Sequence, residues 1–437
     1  MASTVMQVIV ATGLNAGDAE YQNIGDIAML QAAVGRLAEL WPSASINVLT
    51  DAPSELTRHC PNATALSRIG STCWVDDHVL LGCLHGFLPK RISFRLSSMK
   101  HRLRLKSPGL LEWLIRFRFS LRDGGAKRTA FVEFMKTFKQ ITLLVVCGSG
   151  GFADSCRQWN LWILALIEAS AERGIPVAMF GQGVGPLTDV TVLRRMEHIL
   201  PNVELITLRG TRGGMALIAD AGVSDSRVTT TGDEAIDLAY SHRPRTLGTA
   251  IGVNLRIAPY AEVTIDTCEK IKPALHDFAK RHDSHLLPIP IAFHGFANDP
   301  HAIRHLLAGY NDESDGGVLL DSPEKLFAQV AQCRLIVTGA YHAAVFSLAQ
   351  GIPAVCLAGS PYYLAKFQGL QDLFGGGCIV VDATSCDMLS RLSTVLQTAW
   401  CSAEELRPSL LHSARRQIEA IRTSYESLSR FSMCSTA

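Results

Sequence analysis

The chain has 437 residues, of which 48% are apolar and 19% charged, and a net charge of +1. Such a chain is long enough for two or three domains with a sizeable core, and its composition excludes a disordered chain and a uniformly basic coat for nucleic acid. No apolar run approaches the ~18 residues that cross a bilayer, and the 12 cysteines form neither a C-x-x-C pair nor a Cys/His metal spacing, so neither metal nor resident cofactor is expected.

The opening residues lack a basic start and lead directly into a strand pattern, so no signal peptide is expected. Cys147, Cys333 and Cys356 sit in or beside apolar strand runs, as buried thiols of a cytoplasmic protein would. Val8 to Ala11 predicts the first buried strand, a Gly-containing loop follows to Gly25, and the spacing of Ile27, Leu30, Val34 and Leu37 predicts a helix from Asp26 to about Leu40. Asp26 either caps that helix or hydrogen-bonds a ligand hydroxyl. Ile46 to Leu49 is the next strand of a βαβ unit.

Residues 80 to 140 interrupt this rhythm with 14 Lys or Arg against three acids, while the remainder of the chain carries an excess of acids. Within it, residues 110–121 read as a basic amphipathic helix with Leu110, Trp113, Leu114 and Phe117 on one face and Arg116 and Arg118 on its flank. Two readings stand level: a helix lying at the inner face of a membrane, or an insertion packed on the sheet with its arginines in water. No nucleic-acid motif accompanies the charge, so no nucleic-acid partner is expected.

Two longer segments then echo each other. A strand, a Gly turn, a helix, Gly-Ile-Pro, a second strand and a Gly loop run from Ile141 to Pro186 and again from Leu335 to Pro361. Gly suits the left-handed position past a helix end and Pro cannot continue the helix, so Gly174-Ile175-Pro176 and Gly351-Ile352-Pro353 read as helix stops. The echo predicts an α/β protein of two similar halves, 1–245 and 246–437, joined at the apolar-poor stretch Ser241 to Thr249. Loops at the carboxyl ends of parallel strands are where such sheets bind ligands. Those loops carry Gly150 and Gly151, Gln182 and Gly183, Arg209, Arg256, His294 with Asp299, His342 and Lys366. His342 opens a helix, where backbone N–H groups favour an anion, so it and Lys366 are candidates to share one anionic ligand. The plainer alternative is a surface histidine and a solvated lysine.

Leu335 to Lys366 resembles the late signature of the polysaccharide pyruvyl transferase family: a histidine opening a helix, a Gly-x-Pro turn, an apolar strand and a lysine. Earlier pieces match in order: Asn23-Ile24-Gly25-Asp26, Gly148 to Gly151, Gly181 to Pro186, Leu208-Arg209, Gly232-Asp233 and Val253 to Arg256. The resemblance implies two Rossmann-like domains facing a cleft, in a glycosyltransferase-B-like architecture whose final helical region, Ala403 to Phe431, crosses back to the first half. It also implies transfer of a pyruvyl group from phosphoenolpyruvate to a sugar or lipid-linked oligosaccharide. Arg256, Lys366 and Arg209 would then hold carboxylate and phosphate, with Gly150, Gly151 and Gly183 shaping the loops. His342 would transfer a proton, His294 and Asp299 would activate the acceptor hydroxyl, and Asn23, Asp26 and Gln182 would position the acceptor or the loops. Two positions depart from the family pattern: Ala340 stands where an arginine precedes the histidine, and Gly213 stands where a serine follows Arg209. The alternatives are a nucleotide-sugar glycosyltransferase and a non-catalytic sugar- or anion-binding member of a polysaccharide assembly complex.

Overall fold

The structure is a computed structural model, and it describes residues 5–12, 23–76, 79–80, 90–121, 125–295 and 297–433. The first sheet is built from β1 (Gln7–Ala11), β2 (Ser45–Leu49), β3 (Thr64–Leu66), β4 (Leu143–Val146), β5 (Ser149–Phe152), β6 (Val177–Val184), β7 (Leu205–Leu208) and β8 (Val228–Thr230). β1, β2, β4, β6 and β7 are short, largely apolar runs buried on both faces, as a parallel sheet covered by helices requires. Their order is β3-β2-β1-β4-β6-β7-β8, with β5 also on β6, and every pairing is parallel.

The second sheet contains β9 (Ala250–Asn254), β10 (Leu286–Pro288), β13 (Cys333–Thr338), β14 (Ala354–Ala358) and β15 (Cys378–Asp382), in the order β10-β9-β13-β14-β15 and again parallel. Between β10 and β13, β11 (Phe293–His294) and β12 (Ala297–Asn298) form a two-residue antiparallel ladder. The two α/β halves expected from the echoed segments are thus two Rossmann-like sheets, each with its strand order reversing once. In the first sheet the reversal lies between β1 and β4, and in the second between β9 and β13. Chains leaving adjacent strands there turn to opposite faces and leave a crevice at the strands' carboxyl ends. The Gly-Ile-Pro stops act as the sequence implies: Gly174 and Gly351 hold φ of +69° and +76°.

Helix Ile24–Leu40 begins two residues before the expected start, because Asn23, not Asp26, caps it: Asn23 Oδ1 accepts from Gly25 N at 3.0 Å. The same turn is tied to the second sheet, where Ile24 N donates to Ile291 O at 2.8 Å. The closing helix runs from Met388 to Glu426, earlier than the expected Ala403 start, with Pro408 carried in its interior. Its far end reaches the first sheet: the Tyr425 ring stacks on Phe180 at 3.9 Å, and Tyr425 Oη donates to Glu234 at 2.6 Å.

The basic segment forms helices Lys90–Lys106, Pro108–Leu121 and Gly125–Phe138. Leu111, Ile115 and Phe119 of the middle helix are buried with Trp74, Phe131 and Phe134 beneath it. The insertion is therefore packed on the protein, yet Leu110, Trp113 and Phe117 remain about half exposed. Among the described residues no helix is long and apolar enough to cross a membrane.

Candidate functional site

The carboxyl ends of both sheets open onto one cavity of about 320 Å³. Asn23, Asp26, Gly150, Gly151 and Arg209 reach it from the first sheet. Arg256, His294, His342 and Lys366 reach it from the second. Four tyrosines also line it, Tyr260, Tyr341, Tyr362 and Tyr363, together with Ser149, Cys156 and Trp159.

Arg209 follows β7 and is almost wholly enclosed. Its guanidinium lies 4.4 Å from the centre of the Tyr341 ring, and its Nη1 lies 3.4 Å from Asp233 Oδ2. Burial alone would favour its neutral form, but Tyr341 and Asp233 outweigh that and raise its pKa further. Two of the site glycines exist to make room for this cation. A Cβ at Gly150 would stand 2.5 Å from Arg209 Nη2 and 2.7 Å from Lys366 Nζ, and one at Gly183 would stand 2.7 Å from Arg209 Nε. The loops expected to cradle a ligand thus cradle the side chains that meet it. Gly151 has a different neighbour, the Trp159 ring.

Lys366 lies in the second turn of helix Pro361–Phe374, not at the end of a loop. Against the plainer alternative of a solvated lysine, its amine is boxed by aromatic rings. Its Nζ is 3.9 Å from the centre of Tyr362, 5.7 Å from Tyr341 and 5.8 Å from Tyr363, and it donates to Tyr362 Oη. Burial, and then the neighbouring Arg209, push its pKa well below the usual lysine value. Tyr362 Oη in turn donates to Gly150 O at 3.2 Å, bridging the two sheets.

His342 sits in the first turn of helix Tyr341–Ala349, whose cap residue Ala340 supplies no side-chain hydrogen bond. The first-turn N–H groups therefore lack a side-chain cap, as an anion site needs. The imidazole packs so closely on Gly25 that a Cβ there would collide with it. On its other side, Nε2 faces Asp233 Oδ2 at 3.6 Å, an ion-pair distance too long for a hydrogen bond. Burial would raise the Asp233 pKa, but His342 and Arg209 hold it below the usual carboxylate range. Gly232-Asp233 was among the ordered motifs, yet no role attached to Asp233; its position between a histidine and an arginine appears only in three dimensions.

The expected role of Asp299 is corrected by the geometry. Asp299 is buried at the start of helix Asp299–Leu307 and is taken up in holding Arg256 and the neighbouring backbone rather than facing an acceptor hydroxyl. It accepts from Arg256 Nε and Nη2 at 2.8 and 2.9 Å, from Asn254 Nδ2 at 2.9 Å, and from the backbone N of Ile291 and Ala292 at 2.8 and 3.0 Å. Arg256 consequently spends its fork on Asp299 and turns Nη1 outward, where it donates to Tyr260 Oη at 3.2 Å. Gln182 is also committed, its Nε2 donating to the carbonyls of Val146, Cys147 and Phe180 at 3.1, 3.2 and 2.8 Å. It lines a second cavity of about 400 Å³ with Gly183, on the far side of Arg209 and Lys366.

His294 lines the main cavity; burial, then Arg256, lower its pKa, so its neutral form dominates near pH 7. Asn23 spends its side chain on its own helix but still faces the cavity, and Asp26 faces it from the same turn. Among the described residues, His101, Glu168 and Glu172 form a cluster of metal-ligand type. Arg104 already fills it, with bonds of 2.7 to 2.9 Å to both carboxylates.

Two parallel open sheets with a cleft at their facing carboxyl ends define the glycosyltransferase-B-like class. Residues 23–361 match the polysaccharide pyruvyl transferase family, and the chain belongs to that family. No curated protein is similar enough in sequence to be matched. Solved structures share the fold at low identity. Anabaena HepE in complex with UDP is 11% identical with a TM-score of 0.51, over 97% of this chain and 100% of that one. A putative UDP-N-acetylglucosamine 2-epimerase from Listeria monocytogenes is 10% identical with a TM-score of 0.54, over 97% of each chain. Acinetobacter baumannii MurG is 12% identical with a TM-score of 0.52, over 97% of this chain and 99% of that one.

Proposed function

We propose that the chain transfers a pyruvyl group from phosphoenolpyruvate to a pair of hydroxyls on a sugar of a cell-surface or exported polysaccharide, or of its lipid-linked precursor. The observation that carries this reading is the convergence of Arg209, Lys366 and Arg256 Nη1 on one cavity. The uncapped first turn at His342 opens onto the same space. Phosphoenolpyruvate carries a phosphate and a carboxylate on three carbons, and a compact, water-poor cluster of donors suits such a dianion. In the balanced reaction C3 gains a proton, C2 gains bonds to two sugar oxygens, and the C2–O bond to phosphate breaks. One hydroxyl proton is accounted for at C3, and the other leaves with the phosphate.

In this reading Arg209 and Lys366 hold phosphate and Arg256 holds carboxylate. His342 is the acid for C3, with Asp233 Oδ2 3.6 Å from its Nε2. His294, neutral near pH 7, accepts the acceptor hydroxyl's proton, while Asn23 and Asp26 orient the sugar. No resident cofactor takes part, and buried thiols such as Cys147 suit a cytoplasmic setting. The test is to incubate purified protein with phosphoenolpyruvate and a glycan panel. Phosphate release matched by a pyruvyl mass gain on the glycan is expected. Release of nucleoside diphosphate from a nucleotide-sugar would replace this reading with glycosyl transfer, and turnover of neither donor would replace it with binding alone.

A further inference from the structure

The helix Pro108–Leu121 leaves a patch uncovered that the catalytic reading does not use. Eleven large apolar side chains are exposed among the described residues, and five of them, Met99, Leu105, Leu110, Trp113 and Phe117, fall within one 19-residue stretch. Three of the five share one stripe of this helix at spacings of three and four, and the rings of Trp113 and Phe117 stack at 5.3 Å. The opposite face, Leu111, Ile115 and Phe119, is buried against the protein, so the stripe points away from the core.

Beside the stripe runs a groove of about 480 Å³ lined by Trp113, Phe117, Arg116, Arg128, Lys139 and Glu112. Lys139 Nζ and Arg116 Nη1 both lean on Glu112, at 2.6 and 3.5 Å, and with Arg128 also lining it the groove holds three cations beside one carboxylate. Apolar rings that project outward beside a headgroup-sized basic groove match an interface with acyl chains on one side and phosphates on the other. The surrounding charge decides between occupants. Arg116, Arg128 and Lys139 stand in the groove against Glu112 alone, so a second copy presenting the same face would be repelled.

We propose that this face docks on an anionic lipid bilayer, with Leu110, Trp113 and Phe117 in the interface and Arg116, Arg128 and Lys139 on lipid phosphates. The docking does not depend on which reaction the cleft performs. It is tested with the full chain by sedimentation with vesicles of phosphatidylglycerol and phosphatidylcholine, against vesicles of phosphatidylcholine alone. Binding to the first and not the second is expected; it should weaken as salt rises and persist in millimolar inorganic phosphate. Arg116→Glu with Arg128→Glu should weaken binding by about thirtyfold or more. Trp113→Ser with Phe117→Ser should weaken it by roughly tenfold or more. Circular dichroism must show each variant folded, and Arg102→Glu, on the neighbouring helix, serves as a folded single-charge reference with a smaller loss. Failure to bind anionic vesicles, or binding indifferent to both pairs of changes, overturns the proposal. So does a self-association that Trp113→Ser with Phe117→Ser abolishes, because a second copy would then be the occupant.

Discussion

Asp299 grips Arg256 with both carboxylate oxygens, 2.8 Å to Nε and 2.9 Å to Nη2, in a pocket where neither side chain reaches bulk water. The pair sets the plane of the guanidinium and leaves only its Nη1 edge facing the cavity. Removing one partner strands the other as an uncompensated buried charge, so Asp299→Ala should lower stability by about 3–5 kcal/mol. The double change with Arg256→Ala should cost less than the sum of the two singles. Urea unfolding of the four proteins measures the coupling, and additive losses would show that the two side chains do not act as a unit.

Arg209 is placed by stacking as much as by charge. Arg209→Ala should weaken donor use by one to two orders of magnitude, since a charge-assisted hydrogen bond contributes about 1.5–3 kcal/mol. Arg209→Lys should recover little of that loss, because an ammonium lacks the flat face that lies on Tyr341 and the second nitrogen that reaches toward Asp233. The donor KM in the phosphate-release assay reads both; full recovery by lysine would make the stacking irrelevant.

Gly25 has no side chain because the His342 ring occupies its place. Gly25→Ala should push the imidazole away from both the cavity and Asp233. Turnover should fall by roughly tenfold or more, with a smaller change in donor KM, because positional errors near 1 Å cost rate steeply. Steady-state kinetics beside a thermal melt separates this from unfolding; unchanged turnover in a folded variant would remove His342 from the chemistry.

Ala340 stands where the family pattern has arginine, and its side chain is fully buried outside the lining of the cavity. Its backbone N donates to Thr338 Oγ1 at 2.8 Å, which fixes the entry to the helix. Ala340→Arg should therefore overpack the turn, lowering stability by about 1–3 kcal/mol or more, without tightening the donor. A lower donor KM in this variant would show that the lost arginine still has a place to bind.

Glu234 packs beneath Gly181, and burial raises its carboxyl to about 7, with Tyr425 Oη donating to it. An unfolded glutamate titrates near 4.3 or so. Between roughly pH 4.3 and 7 the folded chain thus holds a proton that the unfolded chain has lost, and stability falls as pH rises through that window. Glu234→Gln should remove this part of the slope and leave the variant relatively more stable at pH 8 than at pH 4.5. Denaturation midpoints across the range check it; parallel curves for the two proteins would put the ionised form at home in the core.

Much of the architecture was legible in the chain because parallel strands buried on both faces read as unbroken apolar runs, and Val8 to Ala11 and Leu335 to Val337 are such runs. Arg209, Arg256 and His342 were readable as site residues for a related reason: each follows a strand at its carboxyl end. The failures share a cause as well. Asp299 is a polar residue in a promising loop, but nothing in a sequence shows that Arg256 already claims it. The enclosure of Lys366 was not legible, because its tyrosines lie scattered at positions 341, 362 and 363 and close around it only when the helix forms.

The Asp233–His342 and Arg209–Tyr341 contacts each join a residue from the first sheet to one from the second. Neither half of the molecule owns the catalytic constellation. An isolated half, however well folded, would carry part of the charge and none of the geometry. Swinging the halves apart would do more than admit substrate: it would pull His342 from its carboxylate and unstack Arg209 at once. In the proposed reaction, closure and chemical competence would be a single event, and a stray water entering the open cleft would meet no assembled site to misuse the donor.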